Sequence, residues 1–201
     1  MSDISATKVK QLRDQTGAGM MDCKSALQEA NGDFDEAITI LRKKGIATAA
    51  RKAGRTASEG VVTSYIHPGS KIGVLVEVNC ETDFVARTAE FQAFAHDIAV
   101  QIAAMNPRYL MREDVPEDIL NKEREILFGQ LEDTKKPDNI KKQIVEGRLD
   151  KWYAEFVLMD QAFVKDESTK VNQLIQEHIA KFGENIIVRR FTRYKLGESS
   201  Q

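Results

Sequence analysis

The spacing of apolar residues over positions 1–45 predicts three short helices. In the first, Val9 and Leu12 lie one turn apart, Ser5 is a suitable N-cap, and Gly17 follows the last turn. The second helix has an apolar stripe at i, i+3, i+4 and i+7, made of Cys23, Ala26, Leu27 and Ala30. The third has a similar stripe, made of Phe34, Ala37, Ile38 and Leu41. These patterns indicate a compact three-helix module.

The third helix has a signal at each end. Asp33 is a suitable N-cap, and two lysines precede Gly45 at the other end. Cations followed by glycine are typical of a helix C-terminus, so we expect this helix to end at Gly45. Residues 46–58 are basic and rich in small side chains, and they are predicted to form a linker that is partly helical.

From residue 59 the apolar pattern changes to a period of two, which is typical of strands. Residues 61–67 predict one strand and residues 72–80 the next, with a turn at 68–70 where Pro-Gly-Ser joins them. Residues 186–196 predict a last strand. We therefore expect a small antiparallel sheet made of a hairpin and the C-terminal strand.

Helical patterns occupy most of the remaining chain. They predict a long helix ending at Asn106-Pro107, two helices over about 116–131 and 138–158, and a helix that Gly183 ends. The predicted fold class is α+β, with helices packed on the small sheet. The predicted domains are the three-helix module at 1–45, a basic linker at 46–58 and a core at 59–201.

Composition restricts the classes of function. The chain has 201 residues, 42% hydrophobic and 30% charged, which is enough for one or two domains with a core. A net charge of −2 argues against an electrostatic grip on nucleic acid along the whole chain. Lysines and arginines interrupt any signal-peptide core near the N-terminus, and no apolar run approaches the ~20 residues of a membrane span. We expect a soluble cytoplasmic protein.

Enzymatic and cofactor chemistry is poorly supported by the sequence. His67, His96 and His178 are scattered and lack partners at metal-ligand spacing. Cys23 and Cys80 are predicted to be buried thiols in a reducing compartment, because Cys80 lies on the apolar side of a strand. No phosphate-binding glycine motif is present. We therefore predict no catalytic residues, no metal site and no cofactor.

The last strand is basic and aromatic. Its alternation places Arg189, Phe191, Arg193 and Lys195 on one side, and Arg190 and Tyr194 on the other. Aromatic and arginine side chains on a sheet are used to stack single-stranded RNA. The alternative is a solvated sheet face whose arginines pair with nearby acids. Both interpretations stay open from the pattern.

Residues 82–85, Thr-Asp-Phe-Val, follow the predicted strand 72–80 at the point where a helix could begin. If that helix starts at Thr82, Phe84 joins the core stripe; if Thr88 is the cap, Phe84 lies in a loop and projects. A projecting ring beside Asp83 would suit a wedge, with the ring displacing a group and the carboxylate anchoring the segment.

The start of the second helix raises a similar choice. Methionine is used both in cores and at adaptable interfaces, and Met20 and Met21 cannot both face one helix stripe. At least one of them is therefore expected to be exposed. Lys24 lies off the apolar stripe and is expected to face solvent.

Two long segments closely resemble the signature sequences of bacterial elongation factor Ts. They are residues 12–24, LRDQTGAGMMDCK, and residues 76–86, VEVNCETDFVA. Shorter matches are VEGRL at 145–149, QAFVKD at 161–166 and VRRF at 188–191. The resemblance spans nearly the whole chain.

This resemblance implies a guanine-nucleotide exchange factor for the GTPase elongation factor Tu. The three-helix module, ubiquitin-associated (UBA)-like in the family, would dock on the GTPase through Arg13, Met20, Met21 and Lys24. The segment made of Thr82, Asp83, Phe84 and Val85 would insert near the GTPase's magnesium site and disturb Mg²⁺ coordination. Short family members complete their architecture by dimerising, so the resemblance also implies a homodimer and a complex of two factors with two GTPases.

Overall fold

The computed structural model describes residues 4–131, 134 and 136–198. They fall into two compact units. The first unit comprises the residues up to Val61 together with Val78–Gln92 and Gln173–Arg189, and the second comprises Val62–Glu77, Ala93–Asn172 and the residues from Arg190 onward. None of the helices in the described part of the chain is long and apolar enough to cross a bilayer.

The first unit begins with the predicted three-helix module. Its helices are α1 (Ala6–Thr16), α2 (Met20–Glu29) and α3 (Phe34–Lys52). The Ser5 side chain accepts from Lys8 N, and Asp33 accepts from Glu36 N, as expected of N-caps. The shared core contains the predicted stripe residues Val9, Leu12, Cys23, Ala26, Leu27, Ala30 and Ala37. The three-helix prediction is therefore confirmed.

The predicted end of α3 at Gly45 is wrong, because the helix continues to Lys52. Gly45 is buried in the middle of α3, where a Cβ atom would lie 3.7 Å from the Cβ of Ala180. The glycine thus lies at a close approach to another helix rather than at a helix end. Residues 46–52, assigned to the linker from sequence, are the last turns of α3.

The main sheet has three antiparallel strands in the order β1-β2-β5: β1 (Glu59–Ile66), β2 (Ile72–Cys80) and β5 (Ile187–Lys195). Each strand has residues in both units. Apolar side chains on one side of β2 are buried, namely Val74, Val76, Val78 and Cys80. The α+β fold class, with its hairpin and C-terminal strand, is confirmed.

Two further helices of the first unit are adjacent in sequence to strands of the sheet. The four-residue helix α4 (Asp83–Ala86) comes directly after β2, and α8 (Val171–Phe182), most of which lies in this unit, precedes β5. Gly183 ends α8 with φ +71°, as the sequence predicts.

The second unit contains most of α5 (Ala89–Met105) and the helices α6 (Glu117–Gly129) and α7 (Asp138–Phe156). All three were predicted within a few residues. The contact between α6 and α7 is apolar and includes Leu127, Val145, Leu149 and Tyr153. The loop predicted between them lies partly outside the described residues.

A short hairpin in the second unit was not predicted. Its strands are β3 (Ala162–Phe163) and β4 (Asp166–Lys170), paired antiparallel. The polar sequence of β4 has no strand period, so its pairing is set by tertiary contacts. The strand that it pairs with is held by the buried Gln101 side chain, whose Oε1 accepts from Val164 N at 2.7 Å and whose Nε2 donates to Ala162 O at 3.0 Å.

Candidate partner-binding site

The turn after β2 is capped at two successive points. Thr82 is extended, and its Oγ1 accepts from Val85 N at 3.4 Å, so it is the N-cap of α4. The Thr88 Oγ1 accepts from Phe91 N at 3.2 Å and donates to Val85 O at 2.8 Å, so it caps α5. Each of the two capping alternatives left open by the sequence is therefore partly right.

Phe84 occupies the outward side of this turn. Its side chain is 80% exposed, whereas Ala86 in the same helix is buried and fixes the turn to the unit. A helix of a single turn has room to bury only part of its surface, and here the phenyl ring is left outside. The structure thus selects the projecting alternative for Phe84.

The segment is held from the other side by the residues that follow α8. Both Glu81 N and Thr82 N donate to Glu184 Oε2 at 3.0 Å, and Thr82 Oγ1 donates to Glu184 Oε1 at 2.6 Å. In return, Asn185 N donates to Glu81 Oε1 at 2.6 Å. Arg55 pairs with the other Glu81 oxygen at 3.5 Å.

Cys80 is buried at the start of this turn, and its thiol is unreactive. Its Sγ donates to Thr82 O at 3.1 Å, and the residue is fully buried. Burial, followed by the nearby carboxylate of Glu184, raises the pKa of the Cys80 thiol to about 11 from an ordinary 9.0. A thiol in this state is protonated at neutral pH, which agrees with the prediction of a buried, inert cysteine.

Asp83 is already paired within the turn. Its Oδ2 lies 2.8 Å from Arg87 Nη2 across one helical turn, and both side chains are more than a third exposed. An exposed pair of this kind contributes only about 0.2–1 kcal/mol, so Asp83 is able to exchange Arg87 for another donor at small cost.

The start of α2 presents an apolar and basic surface. Met20 and Met21 are both exposed, at 44% and 75%, which confirms that at least one is not core. Lys24 is exposed and lies one turn along α2, on the same side as the two methionines. Arg13 is exposed in the last turn of α1, which packs against α2.

The basic strand β5 is engaged within the second unit. The Arg190 Nε donates to Glu77 Oε2 at 2.8 Å. The side chain of Arg193 is 10% exposed, with its Nε directed to Ala103 O at 3.3 Å. Phe191 is half-buried. Arg190 is thus paired with an acid and Arg193 is bound to a backbone carbonyl, both within their own unit.

Sequence reasoning missed Glu184, Asn185 and Arg55 as part of this site. Glu184 and Asn185 contact Glu81 although they are about a hundred positions away in the chain. Arg55 follows α3, and its carbonyl accepts from Asn185 Nδ2. No local periodicity or motif marks such contacts, and in the sequence Glu184 is an ordinary acid after a helix-ending glycine.

Comparison with known proteins gives a match along nearly the whole chain. The family model described as elongation factor TS matches residues 2–198. A relative from Syntrophomonas wolfei, named elongation factor Ts, is 60% identical over 97% of this chain and 91% of its own length. Relatives of the same name from Carboxydothermus hydrogenoformans and Anaeromyxobacter are 59% and 57% identical, each over 90% of its own length.

These matches place the chain among the translation elongation factors, which act in protein biosynthesis. Within that class, it belongs to the elongation factor Ts family.

Proposed function

We propose that this protein binds elongation factor Tu carrying GDP and promotes release of GDP and its exchange for GTP. The observation that carries the proposal is the phenyl ring of Phe84, exposed on a turn that is hydrogen-bonded on both sides. Such a turn suits insertion into another protein. The factor acts through binding energy, and no catalytic acid, base or cofactor of its own is required.

In this proposal the Thr82–Val85 segment enters the GTPase near its magnesium site and displaces groups that hold Mg²⁺. Phe84 is the wedge, and Asp83 leaves Arg87 to anchor the segment to donors on the GTPase. Because the factor then binds the nucleotide-free GTPase more tightly than the GDP form, linkage requires that GDP and the factor weaken each other's binding equally. Excess cellular GTP gives the exchange its direction.

The energetics require more than one contact. Burying a phenyl ring contributes roughly 1.5–3 kcal/mol. Accelerating GDP release ~10³-fold requires about 4 kcal/mol. We therefore assign the remainder in part to docking of the N-terminal module through Arg13, Met20, Met21 and Lys24, whose apolar and basic side chains are exposed.

We also propose that the active form is a homodimer, giving a complex of two factors and two GTPases. Several sheet residues of the second unit have exposed apolar side chains, and we call this set the outer sheet face: Val62, Ile66, Leu75, Tyr194 and Leu196. An apolar surface of this kind is typical of a protein–protein interface. The protein is expected to act in the cytoplasm without binding nucleic acid directly.

The test is the rate of GDP release from elongation factor Tu, followed by stopped-flow fluorescence of a labelled GDP. With Phe84→Ala we expect the maximal rate at saturating factor to fall by about 10–100-fold, because up to about 3 kcal/mol of ring burial is lost. Thermal unfolding should change little, since the ring is exposed. Unfolding of the variant together with wild-type release per folded molecule would show that Phe84 is structural.

Two comparison variants separate docking from insertion. Met21→Ala should raise the factor concentration needed for half-maximal release by about tenfold, equivalent to about 1.4 kcal/mol, and leave the maximal rate unchanged. Ile126→Ala removes an exposed apolar side chain from α6, away from both proposed contact regions, and should behave as wild type. Equal losses in all three variants would argue against a specific wedge.

A further inference from the structure

The Glu184 side chain is hydrogen-bonded to the residues at the start of the proposed wedge segment. Its Oε2 accepts from two consecutive backbone groups, Glu81 N and Thr82 N, both at 3.0 Å. Its Oε1 accepts from the Thr82 hydroxyl at 2.6 Å. Hydrogen bonds to a carboxylate are shorter and stronger than those between neutral groups, and three of them converge here on one side chain.

The Thr82 hydroxyl links Glu184 to the turn itself. A hydroxyl has a single proton, and here Thr82 Oγ1 gives it to Glu184 while accepting from Val85 N at 3.4 Å. The carboxylate therefore sets the direction of the hydroxyl and leaves its lone pair for the N-terminus of α4. Through this relay, Glu184 orients the turn that presents Phe84 without touching the ring.

Glu184 is itself held in place by its neighbours. The preceding Gly183 carbonyl accepts from Lys52 Nζ at the end of α3. The following residue, Asn185, is buried; its N–H donates to Glu81 Oε1 at 2.6 Å and its Nδ2 donates to Arg55 O at 2.8 Å. The segments 81–82 and 184–185 thus bind each other reciprocally, and we call this arrangement the Glu81–Glu184 clasp.

We propose that Glu184 is a positioning residue for nucleotide exchange, which holds the Thr82–Val85 turn rigid so that Phe84 displaces the partner's metal-site groups instead of yielding to them. This inference rests on the proposed function. A wedge mounted on a compliant segment is pushed back by the group it meets, so the same binding energy distorts the partner less. Rigidity of the support therefore affects the maximal rate of release more than the affinity.

The test is Glu184→Gln in the full-length protein, assayed by release of labelled GDP from elongation factor Tu. Glutamine has nearly the same shape but no charge, and when its oxygen accepts from Glu81 N and Thr82 N its NH₂ group must donate to Thr82 Oγ1. The hydrogen bond to the hydroxyl is then reversed, and all three bonds lose the strength that a carboxylate gives them. We expect the maximal rate to fall by about tenfold, while the half-saturating factor concentration changes by less than about twofold. Glu177→Gln is the matched control, since it makes the same change on α8, where Glu177 pairs with Arg42 at 3.6 Å.

A double variant identifies the route of the effect. If Glu184 acts by positioning Phe84, adding Glu184→Gln to Phe84→Ala should slow release by no more than about twofold further, because no ring is left to position. A full tenfold additional loss would show that Glu184 acts independently of the ring and would overturn the inference. A wild-type maximal rate in Glu184→Gln alone would do the same.

Hydrogen exchange tests the clasp in the wild-type protein, so it does not require any variant to fold. In the wild-type protein the amides of Glu81 and Thr82 should exchange slowly, because Glu184 accepts from both. Rapid exchange at both amides would rule out the clasp.

If Phe84→Ala releases GDP at the wild-type rate, the proposed function fails and the inference with it. If Phe84→Ala is slow but Glu184→Gln is normal or additive, the inference alone fails.

Discussion

Cys80 and Phe84 lie on either side of Thr82, and their side chains meet opposite environments. The thiol is fully buried on the inner side of β2, while the phenyl ring is 80% exposed. The reversal follows from the backbone: strand geometry directs Cys80 inward, and the capped turn at Thr82 redirects the chain before Phe84. The turn capped by Thr82 thus lies between Cys80, which is part of the core, and Phe84, which is proposed to act on the partner.

The buried thiol predicts a pH dependence of stability. Its pKa is raised to about 11 in the folded protein, so between about pH 9 and pH 11 the unfolded thiol loses its proton first. The contribution is fully present below about pH 9, and the free energy of unfolding should fall as the pH rises toward 11.

Urea unfolding at pH 8, 9 and 10 measures this effect against Cys80→Ser. The serine keeps a donor for Thr82 O but does not titrate in this range. The stability of the wild type relative to the variant should decline across the series. Parallel pH profiles for the two proteins would contradict the prediction.

At the scale of the element, α3 shows that a glycine after two lysines does not always end a helix. Lysines followed by Gly45 are typical of a helix end, but the structure places this glycine inside α3, without a positive φ. Its backbone lies beside Ala180 and Gln176 of α8, and a Cβ atom at this position would still be at ordinary contact distance from both. The end of α3 and the residues after it then contact the clasp: Lys52 donates to Gly183 O, and Arg55, three residues beyond the helix, pairs with Glu81.

This placement predicts that Gly45→Ala stabilises the protein. A methyl group would make ordinary van der Waals contact with Ala180, and alanine is favoured over glycine in a helix interior by about 0.5–1 kcal/mol. The melting temperature followed by circular dichroism should rise by about 1–4 °C for a chain of this size.

Gly17→Ala is the matched control for that measurement. Gly17 ends α1 with φ +67°, and a Cβ atom there would lie 3.0 Å from the Lys181 side chain, so alanine should lower the melting temperature. A loss of stability in Gly45→Ala equal to that in Gly17→Ala would mean that α3 ends at Gly45 after all.

At the scale of the whole molecule, the outer sheet face is an exposed apolar surface that the proposed dimer would cover. Tyr194, Leu75 and Ile66 lie on it and are exposed to solvent. The Ile66 side chain packs beside Gly73 of the neighbouring strand. Each of these residues belongs to the second unit, whereas the proposed wedge and the α2 surface belong to the first. The proposed self-association and the proposed partner binding would thereby use residues of different units.

The proposed dimer predicts a mass of twice 22.6 kDa in sedimentation equilibrium. Leu75→Lys would place an unpaired charge in the interface and should weaken the dimer at least tenfold, or by about 1.4 kcal/mol. Ile126→Lys introduces the same charge at an exposed apolar position on α6 and should leave the mass unchanged. A wild-type protein that sediments as a single chain, or a Leu75→Lys variant that stays dimeric, would refute this assignment.

The sequence alone was sufficient for features set by neighbouring residues. Apolar spacing, caps and turn residues located the three N-terminal helices, the strand at 72–80 and the end of α8 at Gly183, because these signals act within one or two turns of the chain. The resemblance of residues 12–24 and 76–86 to known signatures likewise pointed to the family that the comparisons confirm.

Tertiary structure alone decided which of these residues are exposed and what supports them. It placed Phe84 outside the core, buried Arg193 against its own unit, continued α3 through Gly45, and brought Glu184 to Thr82 across about a hundred positions of chain. Local periodicity carries no information about such contacts, because they depend on which distant segment packs alongside. The position of each element is therefore readable from its own residues, whereas its exposure and support depend on residues elsewhere in the chain.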